Sequence, residues 1–229
     1  MHILLTRPLE DCKDLIVKFK SLGHKVSHLP VIKIESLEYE KIDFNDYKGI
    51  IFTSANAVKN LNLSYIDKKI NCFCVGSATE KIIKQNGFQN IFCADGNVNN
   101  LKEIILQNID NNKGNFLYVS GEIISSNLDK DLASEGYSIK RIINYTVLPI
   151  NEISEEFTKN LKISMPNIVF IYSENSAKNY LNLLKKYGLL DGWMDTNLMC
   201  LGEKASAILN GIKWKKIFIF NPGEEEFLL

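Results

Sequence analysis

The chain has 229 residues, enough for one large or two small domains with cores of their own. Apolar residues make up 45% and charged residues 24%, the balance of an ordinary folded protein. Lys+Arg and Asp+Glu each total 27, so no net field draws the chain toward nucleic acid or an anionic membrane surface, and neither is expected as a partner.

The opening Met1-His2-Ile-Leu-Leu-Thr-Arg-Pro has no basic n-region, no long apolar run and no cleavage site, and no apolar stretch approaches membrane-spanning length. Five cysteines (Cys12, Cys72, Cys74, Cys93, Cys200) sit mostly in apolar, strand-like runs. They read as reduced core thiols, which suits the cytoplasm. Cys72-x-Cys74 would share one strand face, and burial explains that spacing better than a metal. Arginine occurs only at Arg7 and Arg141, so a fork-shaped carboxylate binder at the end of the first strand stands out.

In chain order, residues 3–7 make a short apolar strand stopped by Pro8. Cys12, Leu15, Ile16, Phe19 and Leu22 then recur at helical steps, and Gly23 supplies the left-handed position that ends the helix. Residues 26–35 are extended, and 38–48 form a surface connection. GIIFTSANAVKNL reads as strand 49–53, a Thr-Ser turn and a helix through Val58 and Leu61. CFCVGSATEKII reads as strand, turn at Gly76 and helix, with Ser77 as its N-cap. The strand NIFCA, a helix over 97–109, the strand NFLYVSG and a helix over 125–135 closed by Gly136 come next. A second extended segment covers 139–149. NIVFIYSENSAKNYLNLL repeats strand, turn and helix, closed near Gly188, and NLMCLGEKASAIL and KKIFIF complete the series before NPGEEEF. Strands alternating with amphipathic helices predict parallel sheets covered on both faces.

The two halves match in order. LLTRPLEDCKDLIVKFKSLGHKV pairs with LYVSGEIISSNLDKDLASEGYSI, FTSANAVKN with IYSENSAKN, and CVGSATEKI with CLGEKASAI. A duplication of this kind predicts two similar doubly wound lobes, whose ligands sit outside the carboxyl ends of the strands. Those ends carry Thr6-Arg7, Thr53-Ser54, Ser77 to Thr79, Ser120-Gly121, Ser173 and Gly202. Facing lobes would gather these turns around a cleft. Ser, Thr and Gly also cap helices and turn corners as a matter of course, and for any one of these residues that plain role is the default.

With ILLTRP, LPVIKIE, IIFTSANAV, CVGSAT, INYTVLP, VFIYSENSA and MCLGEKASA in this order, the chain resembles the uroporphyrinogen-III synthase family over nearly its whole length. The resemblance implies an α/β fold of two similar doubly wound, flavodoxin-like parallel-sheet domains joined by a two-stranded antiparallel linker, with an active-site cleft between them. Domain one would be 1–34 plus 147–229, domain two 35–146, and the linker segments would lie near 29–36 and 143–149.

The implied reaction closes linear hydroxymethylbilane to uroporphyrinogen III, with loss of water and inversion of ring D through a spiro intermediate, and implies no metal or organic cofactor. Left alone, the same substrate closes without inversion, so the task is largely to hold a floppy chain in one geometry. Tyr145, in INYTV, matches the tyrosine proposed in the family to assist departure of the terminal hydroxyl. A tyrosine is protonated at neutral pH and can donate a hydrogen bond or proton. Thr79 and Ser173 match family residues expected to bind the substrate's carboxylates or hydroxyls. Arg7, Thr53, Ser54, Ser77, Ser120, Gly121 and Gly202 are expected to serve with them through side chains and helix N-termini. Where relatives carry hydroxyl residues after the second glycine turn, this chain has Lys204 and Ala205; Lys204 would offer charge in their place. A monomer is expected, since nothing in the sequence suggests an obligate interface.

The rival of another class is a cytosolic two-lobed anion-binding module without catalysis, favoured by the scarcity of strong acid–base groups. A nucleotide-binding enzyme would need G-x-x-x-x-G-K-[ST] or G-x-G-x-x-G, and the chain has neither. A metal hydrolase would need ligands that His2, His24 and His28 are poorly placed to supply, because Gly23 breaks the helix that would align them.

Overall fold

The computed structural model describes residues 1–110, 114–221 and 224–225; most of the NPGEEEF stretch and the two residues after it lie outside them. The chain divides into two compact units, Met1–Lys33 with Leu148–Leu229, and Ile34–Val147.

The first unit holds a five-stranded parallel sheet. Its strands are β1 (His2–Leu5) and β2 (Lys25–His28) from the start of the chain, and three late strands that come after a long excursion. The second unit supplies that excursion: β3 (Ile32–Ser36), β4 (Tyr47–Phe52), β5 (Asn71–Val75), β6 (Asn90–Ala94), β7 (Asn115–Gly121) and β8 (Ser138–Pro149). The late strands are β9 (Ile168–Ile171), β10 (Asn197–Leu201) and β11 (Lys216–Phe220).

The first sheet runs β11-β10-β9-β1-β2 and the second β6-β5-β4-β7-β8, with β3 added at the β8 edge. Laid over the internal repeat, β9, β10 and β11 match β4, β5 and β6, while β1 and β2 match β7 and β8. The two sheets therefore have the same spatial order, entered by the chain at different strands. In each, the connections reverse direction at one place, between β1 and β9 and between β4 and β7. The strands flanking these points are buried throughout β1 and β9 and over the last four residues of β4. Such near-continuous apolar runs are what a parallel strand covered on both faces requires.

Where the chain passes between units, Leu37 N–H donates to Asn144 O (2.9 Å) and Ile150 N–H to Val31 O (3.0 Å). The partner number falls as the residue number rises, which is the register of an antiparallel pair. Pro30, between β2 and β3, has no N–H to give a ladder and separates the segment 26–35 into two strands.

Helices cover both sheets. In the first unit these are α1 (Leu9–Ser21), α6 (Glu155–Ile163), α7 (Glu174–Lys186) and α8 (Glu203–Leu209); in the second, α2 (Ala55–Lys59), α3 (Ser77–Gln85), α4 (Val98–Asn108) and α5 (Leu128–Ser134). Each sheet has a core on either face. In the first unit, Trp193, Tyr180 and Leu198 lie on one side and Phe19, Phe170 and Phe220 on the other. In the second, Phe52, Leu117 and Val119 lie on one side and Phe73, Phe116 and Tyr118 on the other.

Three details depart from the sequence reading. Ser77 is the first helical residue of α3, exposed, and the N-cap is Gly76 at φ 82° and ψ 146°. Serine avoids that conformation, so the glycine and not the hydroxyl turns the chain into the helix. The helix after Ser54 is one short turn: Asn60 caps it and Leu61 lies beyond. α6 is a helix that the periodicity did not predict. Ser154 accepts from Phe157 N–H (3.1 Å), Glu155 and Glu156 fill the first turn, and Leu161 is buried.

Candidate active site

Because the first sheet is parallel throughout and the second is parallel from β6 to β8, all the turns at the carboxyl ends of a sheet share one edge. In the second unit that edge carries Thr53-Ser54 after β4, Gly76 to Thr79 after β5, Ser120-Gly121-Glu122 at the end of β7, and Tyr145 within β8.

Tyr145 is set by a bulge. Ser120 pairs with Ile143, but the next residue, Gly121, pairs with Tyr145, so Asn144 is an extra residue on the β8 side. Asn144 is fully buried; its side-chain N–H donates to Ala57 O (2.8 Å) and its backbone O accepts from Leu37. Tyr145 is thereby turned across Gly121. A Cβ on Gly121 would meet the tyrosine ring at 2.6 and 2.8 Å and its hydroxyl at 2.9 Å. The tyrosine is 8% exposed and packs against a core that includes Phe52, Ala57 and Val119.

The loop under the ring is tied down on all sides. Arg141 Nε donates to Ser120 Oγ (2.8 Å), and its Nη2 donates to Gly121 O (2.9 Å) and Glu122 O (3.2 Å). Glu122 N–H donates to Tyr145 O (3.0 Å), and Thr146 Oγ1 donates to the Glu122 carboxylate (2.7 Å). Ser120 is itself buried, and its hydroxyl donates to Gly121 O (3.1 Å), which leaves it a scaffolding role. Thr53 Oγ1 lies 3.0 Å from Tyr118 OH, whose acidity burial weakens. Ser54 caps α2, accepting from Asn56 N–H (3.2 Å). Thr79 is buried in the first turn of α3, its N–H bonded to Gly76 O (3.1 Å), while Ser77 beside it is exposed.

In the first unit the corresponding edge carries Arg7 after β1, Ser173 after β9, and Gly202 and Lys204 after β10. The Arg7 guanidinium lies 4.6 Å over the Tyr172 ring and 3.9 Å from the Glu225 carboxylate. Among the described residues Tyr172 OH is buried without a hydrogen-bond partner, and burial first, then Glu225, keep it protonated far above the usual phenol range. Arg7 O accepts from His28 Nε2 (2.8 Å) when that nitrogen carries the proton, which gives His28 a structural partner. Ser173 caps α7, accepting from Ser176 N–H (3.1 Å), with Ser176 Oγ at 2.9 Å. Gly202 is the N-cap of α8 at φ 86° and ψ 158°, the same turn as Gly76, and Lys204 is exposed.

All five thiols are free. Burial pushes Cys72 and Cys200 up to about 12 and Cys12 up to about 11, so they are held as neutral core residues. Among the described residues no group of three or more His, Cys, Asp or Glu is placed to hold a metal. Among the same residues no helix is long and apolar enough to cross a membrane.

Residues 13–221 match the family model described as uroporphyrinogen-III synthase HemD. The chain belongs to the uroporphyrinogen-III synthase family. A porphyrin biosynthesis protein HemD from Ruminiclostridium josui is 24% identical over 221 residues, which cover 89% of this chain and 42% of that protein. The chain thus spans under half the length of this curated relative. Among solved structures, the uroporphyrinogen-III synthetase of Helicobacter pylori is similar at a TM-score of 0.61, with 19% identity, over 94% of this chain and 91% of that one. A mutant uroporphyrinogen III synthase from Thermus thermophilus gives 0.55, with 14% identity, over 98% and 94%. At such identities the structural likeness speaks for the fold, and it agrees with two parallel-sheet α/β domains.

Within that family fold, sequence reasoning found Tyr145 and Gly121 without their contact, and it missed Arg141, Glu122, Thr146 and Tyr118. One signal was available. Arg141 is one of two arginines and lies four residues before Tyr145 on the same strand.

Proposed function

We propose that the protein is a uroporphyrinogen-III synthase, a cyclising lyase that converts hydroxymethylbilane to uroporphyrinogen III with loss of water and inversion of ring D. The observation that carries this reading is the family match over residues 13–221, joined to the placement of Tyr145 at the carboxyl edge of its sheet.

In this reading Tyr145 donates a hydrogen bond or proton to the departing terminal hydroxyl of the substrate. A cation then develops at that carbon, and the substituted carbon of ring D attacks it to give the spiro intermediate. The protein supplies mainly orientation. Rigid placement of reacting groups lowers a barrier by removing the entropy of bringing them together. Arg7, Lys204 and the turns at Thr53-Ser54, Ser77–Thr79, Ser173 and Gly202 bind the carboxylates of the substrate. Ser120 and Gly121 serve indirectly, since their polar groups are already engaged by Arg141. The domains of the enzyme are taken as 1–34 plus 147–229 and 35–146. The enzyme is taken to work in the cytoplasm as a monomer, and five cysteines free of disulfides support the compartment.

The test is to supply fresh hydroxymethylbilane without added cofactor and separate the oxidised products by isomer. Mostly type III porphyrin is expected, and Tyr145→Phe should lower kcat by about a hundredfold, the lower range of general acid catalysis. Type III product with Tyr145→Phe at full rate would keep the synthase and remove the tyrosine from its chemistry. Type I alone, at the rate of buffer, would sink the synthase and favour an anion-binding module without catalysis.

A further inference from the structure

The geometry points to Gly121 as a positioning residue for Tyr145, with Arg141 as the clamp that holds it; this rests on the reading of Tyr145 as the acid. The φ of Gly121 is not positive, so backbone freedom is not why glycine stands there. Space is the reason. The residue opposite Tyr145 in the β7–β8 register has no side chain, and the tyrosine ring occupies the place where a Cβ would be, 2.6 Å from its Cζ. Real Cβ atoms essentially never approach other heavy atoms within 3.0 Å, so with any larger residue at 121 the outer end of the ring and its hydroxyl must shift. Both ends of the ring's seat are fixed. Arg141 makes three bonds to Ser120, Gly121 and Glu122, and Glu122 bonds back to the Tyr145 backbone and to Thr146. A planar fork suits this task, because one rigid group reaches a hydroxyl and two carbonyls at once. The hydroxyl of Tyr145 therefore has its position set by a glycine and an arginine that need not touch substrate.

Gly121→Ala tests this directly. Its kcat should fall at least about tenfold while KM stays within about twofold, because the displaced group acts in the transition state. The same change in a Tyr145→Ala background should cost nothing further, since the ring it displaces is gone. With 3-fluorotyrosine incorporated and the Tyr145 resonance assigned by its loss in Tyr145→Phe, Gly121→Ala should move that resonance. Arg141→Met should give a smaller loss of the same kind, and it serves if circular dichroism shows Gly121→Ala unfolded. An unmoved resonance, or an equal loss with and without the tyrosine, overturns the proposal. If Tyr145→Phe is fully active, the acid role of the tyrosine fails instead, and a moved resonance tells that failure apart by showing the contact intact.

Discussion

His2 shows how a single side chain couples this fold to pH. Its Nε2 lies 2.8 Å from Ser27 Oγ, and the ring is buried. Burial first, and the neighbouring Lys25 second, hold its pKa below the ordinary 6.5. The folded protein therefore refuses a proton that the unfolded chain accepts. Stability from this residue is complete above the unfolded value and is lost as pH falls from there toward the folded one. In urea titrations between about pH 7.5 and 5.5, the midpoint of the wild type should fall further than that of His2→Gln. Equal slopes would remove His2 as the source. The contrast between Gly121 and Gly76 belongs to the same scale. Gly121 excludes a side chain for lack of room, whereas a Cβ on Gly76 meets nothing within 4 Å and is opposed only by the backbone angle. That difference could not be read from the letter G.

At the scale of elements, the duplicated strand–glycine–helix turn is the most repeatable object in the molecule. Gly76 and Gly202 have nearly equal angles, φ 82° with ψ 146° and φ 86° with ψ 158°, and each stands at the N-cap of its helix. This region of backbone space is closed to side chains at a cost of about 1–3 kcal/mol. Gly76→Ala and Gly202→Ala should each destabilise by that amount in denaturant unfolding, with comparable values because the turns are copies. A loss in only one would mean that the repeat does not extend to this turn's energetics. Much of this level was legible. Apolar runs predicted the parallel strands, and glycines closed helices where expected, as Gly23 and Gly136 do at φ 80° and 88°. Exact helix starts were not legible, because Ser77 after a glycine and Ser54 after a threonine present the same letters to a reader. Only the first is displaced from the cap by its neighbour's geometry. α6 was missed because its apolar residues are few, although the Ser-Glu-Glu start was there to be seen.

For the whole molecule, the sequence repeat predicted two similar lobes, and by itself it would have divided the chain at its middle. The strand order shows why that division is wrong: β1 pairs with β9, Ile3 beside Ile168 and Leu5 beside Phe170. Repeats record which segments are alike, but they say nothing about which of two equal partners a strand will choose. The family resemblance supplied the interleaved arrangement that residue patterns alone did not. For the proposed site, the residue patterns of the family singled out Tyr145 but not the contacts around it, since Arg141 reaches Ser120, Gly121 and Glu122 only once β7 and β8 are side by side.

The pairing of β1 with β9 also sets a timetable. A ribosome adds roughly 5–20 residues each second, so a span of about 165 residues keeps the first strand waiting on the order of 10 to 30 s for its neighbour. During that interval all of β4 to β8 emerges, and the second sheet can close from strands that lie within 32–149. The early apolar segment 2–28, meanwhile, has only the β1–β2 pair and α1 to shelter it. Nascent chains arrested once β8 is clear of the ribosome should thus be cut by protease before residue 33 and resist it between 47 and 145. Cleavage in the reverse order would mean that the opening strands find shelter earlier than their final partner allows.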